Sequence, residues 1–595
     1  MHSVEQYDAV IVGGGHNGLT AAAYLARAGK RVLLLERLDH TGGAAVSERP
    51  FPGVDARLSR YSYLVSLLPQ QIIHELGLDV QLVRRRFSSY TPDPASPGTG
   101  LLIDNRDDDA TVASFASIGH PEDAAGVAEL HRRIGHLASV LWPTVLEPLR
   151  TRSDARDAAI AAAADLGVPA GEVASIWSAV FDEPIGRAIE DAARSDLVRG
   201  VVFTDALIGT FARADDPTLQ QNICFLYHLI GGGTGDWDVP VGGMGAVTDA
   251  LRRAAEEAGA EIRTLAEVTS IQPEHGLVAY VDLAAEAELE ATEPMSTLDR
   301  FRPRPGVVVR GEWILSGAAP AVLERLLDPA AEQRAVAAAY AAWSAARGTP
   351  VQWSDADAIL GTAPAPEDGV PHPEGAQVKV NLLLRRLPEL LDPAVDPSAA
   401  FGGTFHINEG WAQLEHAYLE AEAGRIPDPL PCEIYCHTLS DPSILSPELQ
   451  ASGAHTLTVF GLHVPHRLAV AADAIPGGHD AFRDALQAAV LRSLDSVIAE
   501  PIEDLLLLDA EGLPCIETRT TLDLERSLAM PGGNIFHGPL SWPFLEDDAP
   551  RTTAAERWGV ATVHPRVLLC GAGARRGGAV SGLGGHNAAM AVLDA

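Results

Sequence analysis

Apolar and polar positions follow two different grammars along this chain, and the change between them divides it. In the first grammar, short apolar runs alternate with small-residue helices. "DAVIV" at 8–12 predicts a buried strand, residues from about Asn17 to Ala28 predict a helix stopped by Gly29, and "RVLLLE" predicts a second strand ending on Glu36. Residues 108–230 then carry alanine-rich and amphipathic runs such as "DARDAAIAAAADLG" and "HRRIGHLASVLWPTVLEPL", which predict a mainly helical block.

The strand–helix–strand grammar returns after 230, where Gly242, Gly243 and Gly245 precede an amphipathic helix and Glu261–Ile271 predicts strand, turn, strand. Residues 273–305 are acidic and then proline-rich, and predict a solvated insertion. "GVVVRGEWILSGAAP" resumes as a strand and closes in a small-residue turn at Ser316–Pro320. From about 350 to 540 the second grammar takes over: "AQVKVNLLLRRLP", "GGTFHIN", "PCEIYCHTL" and "HTLTVFGLHV" are short alternating runs cut by glycine, proline and asparagine. Such alternation predicts a half-buried antiparallel sheet, suited to wall a pocket. "EGWAQLEHAYLEAEAGRIP" predicts an amphipathic helix ended by Gly424, and the chain finishes on an apolar run, a burst of glycines and an alanine-rich helix.

Composition narrows the function classes. At 595 residues with 47% hydrophobic and 21% charged positions, the chain is ordinary globular material for several domain-sized units. Its 80 acidic against 44 basic residues give a net charge of −36, which repels nucleic acid and anionic lipid alike. Membrane contact is therefore expected only through an apolar patch, at the periphery. No apolar run reaches the ~18 residues of a membrane span, and "MHSVEQYD" lacks a signal-peptide pattern. Five cysteines make no disulfide framework, and Cys432 and Cys436 lack metal-ligand or redox spacing. The expectation is a cytoplasmic protein without a metal.

The chemistry sits in "YDAVIVGGGHNGLTAAAYLARAGKRVLLLER". Gly13 permits a tight turn, Gly15 lets a pyrophosphate approach the backbone, and Gly18 lets helix and strand pack closely. The phosphates would rest on the free N–H groups and positive end of the helix. Glu36 would accept hydrogen bonds from a ribose diol, with Gly14 and Arg37 beside these positions as further cofactor contacts. Strand, turn, helix, second strand and terminal acid fall in the order a dinucleotide site requires.

A second glycine pair, Gly42 and Gly43, resembles the extended motif of FAD enzymes of the amine oxidase and phytoene desaturase superfamily. With "RYSYLVSLL", "GGMGAVTDAL", "KVNLLL", "DLERSLAMPGGNIFHG" and "CGAGARRGGAVSGLGGHNAA", the chain resembles FAD-dependent oxidoreductases of the phytoene desaturase and carotenoid isomerase type. The resemblance is greatest to the branch of pyridine nucleotide-disulfide oxidoreductase domain-containing protein 2. It implies an α/β fold: a discontinuous Rossmann-like FAD-binding domain (1–107, 231–330 and 546–595), a mainly helical insertion or cap (108–230), and an α+β substrate domain with an antiparallel sheet (331–545). It also implies that Val268 meets the adenine through its backbone, and that Gly571, Gly573, Gly578, Ala579 and Val580 hold the flavin end. Two departures stand out. Ala44 and Ala45 occupy the place where many of these enzymes carry an arginine, and no cysteine pair beside the first helix supports dithiol chemistry.

The function expected from this resemblance is FAD-dependent desaturation, oxidation or isomerisation of an apolar, isoprenoid- or polyene-like substrate. Hydride would pass to flavin N5 and electrons would leave to oxygen or a quinone, since no second complete glycine fingerprint marks a nicotinamide domain. His537 and Arg576 are the candidate catalytic residues, against the plainer readings of a structural histidine and a solvated turn. A flavin amine or amino-acid oxidase on the same fold is the rival enzyme, and a non-catalytic lipid-binding escort protein is the rival of another class.

Overall fold

Parallel strands need long crossover connections, so a parallel sheet draws on distant pieces of chain. The computed structural model, which describes residues 4–96, 98–165, 167–292, 306–328 and 374–595, shows this on a large scale. The end of the expected 273–305 insertion and the start of the 350–540 region lie outside the described residues.

The first sheet has seven strands built around Glu5–Val12. Val32–Leu35 lies parallel on one side of it and Val307–Ser316 on the other. Glu261–Arg263 extends the sheet beyond the former and Val567–Leu569 beyond the latter, both again parallel. One face is covered by the helices His16–Arg27, Met244–Glu257 and Leu583–Leu593, through residues such as Leu19, Ala22, Val247, Leu251, Ala588 and Val592. On the other face Val10, Leu33 and Ile314 pack with Ile271, Val278 and Leu323. Burial on both faces is why these strands read as unbroken apolar runs.

The expected insertion at 273–305 is corrected in part. Leu277–Asp282 is a strand of this sheet, antiparallel to both Ala266–Gln272 and the first half of Val307–Ser316. Val278 and Tyr280 point inward and are buried, a two-residue alternation masked by the acidic helix Leu283–Thr292 that follows.

The second sheet also has seven strands, in the order Ile516–Arg519, Val378–Leu384, His455–Gly461, Cys432–Tyr435, Thr404–Ile407, Phe87–Pro92, Gly100–Asp104. All pairings are antiparallel except that of Thr404–Ile407 with Phe87–Pro92. The two strands from 87–104 join here across more than the whole helical block, a pairing the local sequence does not announce. The sheet is not half-buried as expected: every residue of Val378–Leu384 is buried. The helix Gly478–Asp495 covers one face with Leu486, Ala489, Val490 and Leu494. On the other face polar members of the alternation make internal hydrogen bonds, although Asn381 Nδ2 and Glu517 Oε2 are buried without a partner among the described residues. Lys379 Nζ donates to Ser59 O at 2.7 Å, and Thr458 Oγ1 donates to Asn381 Oδ1 at 2.9 Å.

Helices from Asp108–Ser117 to Gln220–Ile230 form the helical block, as their apolar spacing predicts. Its core includes Trp177 and Phe181, whose rings lie 4.3 Å apart, and Phe544 from far along the chain stacks 5.8 Å from Trp177.

The closing helix Leu583–Leu593 docks on the first helix by a backbone contact. A Cβ added at Gly585 would lie 1.9 Å from the Asn17 carbonyl oxygen. Gly585→Ala is therefore expected to lower stability by about 1–3 kcal/mol, the cost of forcing extra volume into a packed contact. Gly171 also lies in a helix but faces open space. Gly171→Ala is expected to be neutral or to gain up to about 1 kcal/mol. Thermal unfolding of the two variants checks the contrast, and equal midpoints would contradict this packing.

Candidate functional site

The site starts where the first strand runs out. After Val12 the chain turns at Gly13, whose φ of +99° suits only glycine, and its N–H donates to Leu35 O at 2.8 Å. The next two fingerprint glycines do different work. A Cβ at Gly18 would lie 2.1 Å from Gly13 O, so this glycine allows helix and turn to touch. A Cβ at Gly15 would meet nothing within 4 Å, because it points into open space.

That space is a cavity of about 470 Å³ between the two sheets. Gly13, Gly15 and Gly18 line one end with Glu36, Arg37, Gly43 and Val268. Glu36 is only 8% exposed, and its carboxylate accepts from Gly14 N–H at 2.7 Å and Leu38 N–H at 2.8 Å. Arg37 lines the cavity while its Nη2 donates to Ser527 O at 2.7 Å, joining the two sheet units. The second glycine pair packs directly on the first turn. Gly42 N–H donates to Gly14 O at 2.8 Å, and a Cβ at Gly43 would lie 3.2 Å from Gly15 Cα. Gly14 and Gly42 thus stand behind the lining rather than in it.

Gly571, Ala579 and Val580 line the cavity from the closing segment, with Ala579 held at a φ of +50°. The other residues expected there are displaced. Gly573 is pressed against Pro320, 2.5 Å from where its Cβ would be, and Gly578 packs between Leu540 and Phe536 beside a separate small void.

Arg576 is corrected as well. It does not line the cavity; its buried guanidinium donates to Thr144 O at 2.5 Å and Glu147 O at 2.8 Å, anchoring the closing segment to the helical block. Burial lowers its pKa to about 10, so it still carries its charge.

His537 does line the cavity, and it meets there a residue the sequence reading passed over, His16. Each has one ring nitrogen shut off from solvent and without a partner: Nε2 in His16 and Nδ1 in His537. Burial pushes both rings down to about 4, and in His16 the nearby His537 adds to the effect while the backbone of Ala579 opposes it. First turn, His537 loop and closing segment therefore converge on one spot. His16 occupies a variable position of the fingerprint, so spacing alone gives it no signal.

The far end of the cavity is aromatic and apolar, with Tyr61, Tyr63, Trp237, Phe460 and Leu462. Lys379, also missed, stands behind this wall 5.1 Å from the Phe460 ring centroid, and burial lowers it to about 7. The Cys570 thiol is buried and pushed upward by its surroundings, as a packing residue would be. His586 is also buried, bonded to Asn587 Oδ1 and edge-on to Tyr24.

Sheet order, glycine turns and cavity define a Rossmann-like protein of the FAD/NAD(P)-binding oxidoreductase superfamily, and residues 11–70 match the NAD(P)-binding Rossmann-like domain family. The chain belongs to the same family as the uncharacterized protein Rv0897c of Mycobacterium tuberculosis, to which it is 53% identical over 99% of this chain and 97% of that one. It is also similar to pyridine nucleotide-disulfide oxidoreductase domain-containing protein 2 of Rattus norvegicus, at 28% identity over 99% and 93% of the two chains. Among solved structures, cyclohexylamine oxidase from Brevibacterium oxydans matches with a TM-score of 0.48 and 13% identity, over 98% of each chain. No helix among the described residues is long and apolar enough to cross a membrane.

The two histidines predict a pH dependence. Their folded pKa values of about 4 lie below the ordinary 6.5, so the fold favours the neutral rings. Between pH 6.5 and 4 the unfolded chain takes up protons that the folded chain refuses, and stability falls as pH drops through that window. In the ligand-free protein, a His16→Gln/His537→Gln variant is expected to show a flatter melting temperature against pH there than the unmodified chain. An unchanged slope would mean that neither ring is held neutral.

Proposed function

We propose that this chain is an FAD-dependent oxidoreductase that removes a hydride from an apolar small molecule, desaturating, oxidising or isomerising it. The observation that carries the proposal is one continuous cavity with a glycine-turn end and an aromatic, apolar end. The residues fit FAD. Gly15 leaves its side-chain direction empty where a pyrophosphate would lie, and the N-terminus of His16–Arg27 offers backbone N–H groups. Glu36 has carboxylate lone pairs left for a ribose diol. Val268 lines the same end of the cavity, and Ala579 and Val580 line it from the closing segment.

FAD, when bound, supplies the hydride acceptor. The protein's own part is positioning and shielding. Tyr61, Tyr63, Phe460 and Leu462 would take up an apolar substrate and exclude water from it. His16 Nε2 and His537 Nδ1 are held neutral in the same cavity, and each can accept a proton where most cavity groups are apolar. Electrons would leave to oxygen or a quinone.

The glycines separate cofactor loss from unfolding. Gly15→Val is expected to leave the melting temperature of the ligand-free chain within a degree or two, since its side chain enters open space, and to abolish FAD retention. Gly18→Ala is expected to destabilise the chain itself through its clash with Gly13 O. Absorbance of the purified variants and FAD released by heating are the measurements; stoichiometric FAD on Gly15→Val would overturn the assignment of the phosphate loop. Anaerobic bleaching of the yellow protein by a polyene but not by primary amines or NADPH is the expected substrate ranking. Bleaching by amines alone would favour an amine oxidase instead.

A further inference from the structure

A second concentration of chemistry lies away from the glycine turns, on the second sheet. His406 in Thr404–Ile407 and Glu433 in Cys432–Tyr435 are directly opposite each other in the antiparallel register, so both side chains stand on one face. Just beyond the first strand, Asn408 takes a left-handed conformation with φ +58°, and the chain returns to bring Glu409 alongside. His406 Nδ1 lies 2.5 Å from Glu409 Oε2. One ligand-type atom from each of the three residues lies within 4.8 Å of the others.

All three are buried, at 5%, 0% and 2% exposure for His406, Glu409 and Glu433. Two carboxylates this deep stay ionised only with a compensating charge, since an isolated buried ion costs several kcal/mol or more; without one, burial pushes both carboxyls upward, Glu433 to about 8, and favours their protonated forms. No lysine or arginine supplies that charge among the described residues. Among the described residues Glu409 pairs only with His406, and its other oxygen, Oε1, has no partner. Glu433 accepts from Tyr435 Oη at 2.7 Å. Arg85 is near enough to influence His406, but it donates to Trp237 O and Thr404 Oγ1. Asp205, at the end of the helix Asp196–Thr204, adds further negative potential to all three groups.

We propose that His406, Glu409 and Glu433 form a binding site for one divalent first-row metal ion, of the zinc or manganese kind. One imidazole nitrogen with two carboxylate oxygens is a donor set for such ions rather than for calcium or magnesium, which favour all-oxygen shells. Metal–ligand distances of about 2.0–2.2 Å space ligand atoms about 3–4 Å apart, so the side chains need move by only about 1 Å. Tyr435 serves as the outer hydrogen bond that orients a carboxylate ligand. Its ring lies 3.9 Å from that of Tyr63, which lines the main cavity. The ion would therefore brace the cavity wall one aromatic layer away from the substrate, outside the reacting groups.

The test uses the full chain with its native cofactor content, stripped with EDTA and then given Zn²⁺, Mn²⁺ or Mg²⁺ separately. Metal per chain is counted by mass spectrometry after desalting and a brief EDTA wash that removes surface ions. The expected result is about one equivalent of Zn²⁺ or Mn²⁺ retained, no Mg²⁺, and a raised melting temperature. Glu409→Gln and His406→Asn, checked for fold by circular dichroism and for cofactor by absorbance, should each weaken binding at least tenfold. Failure of the unmodified chain to retain either ion overturns the proposal without reference to any variant. So does a retained ion that Glu409→Gln, His406→Asn and Glu433→Gln all leave in place. If the variants do not fold, Co²⁺ on the unmodified chain decides: visible bands of a nitrogen–oxygen site support the proposal, and the spectrum of hexa-aqua Co²⁺ overturns it.

Discussion

Backbone touching backbone at three glycines is the contact on which the rest of the molecule depends. Gly18 lets the first helix meet Gly13, Gly585 lets the closing helix meet Asn17, and Gly571 lets the last strand's end meet Gly317. A side chain at any of these positions would lie 1.9–2.4 Å from a carbonyl oxygen. Together they draw segments separated by up to 568 residues onto one turn. The floor of the cavity is made from these backbones, so its shape is stiff and its N–H groups are aimed before any ligand arrives. Preorganised dipoles of this kind need no rearrangement when charge develops beside them.

The cavity's second property follows from its walls. Val378–Leu384 is covered on both faces, and the polar groups of this strand and of the cavity beside it are bonded or perturbed by burial. Lys379 gives its hydrogen bond to Ser59 and still sits at about 7. His16 and His537 are left with unpartnered nitrogens and are held neutral.

Arg576 shows how a functional guess and an architectural fact can share a residue. Its setting among glycines at the flavin-motif end suggested a group reaching substrate. It instead ties the closing segment to Thr144 and Glu147 of the helical block through a buried cation on carbonyl oxygens. Arg37 does similar work at the other end by holding Ser527 O. Both arginines couple the units that enclose the cavity, so a charge at either place is structural before it is chemical.

What the sequence determined by itself was everything whose geometry closes within about thirty residues: the strand, the Gly13 turn, the first helix, the second strand and Glu36 at its end. Local spacing and backbone sterics leave no other arrangement for that pattern. The helical block was legible for the same reason, as was the existence of a second, mainly antiparallel sheet. The tertiary structure alone decided what depends on distant partners. It decided that 277–282 is a strand, that strands from 87–104 join the second sheet, and that an alternating pattern is buried on both faces. It also decided which way a side chain looks: His16 into the cavity, Arg576 away from it, and His406, Glu409 and Glu433 toward one another. Periodicity reports which residues share a face, but only the packing of other segments settles whether that face meets water, a ligand or a buried charge.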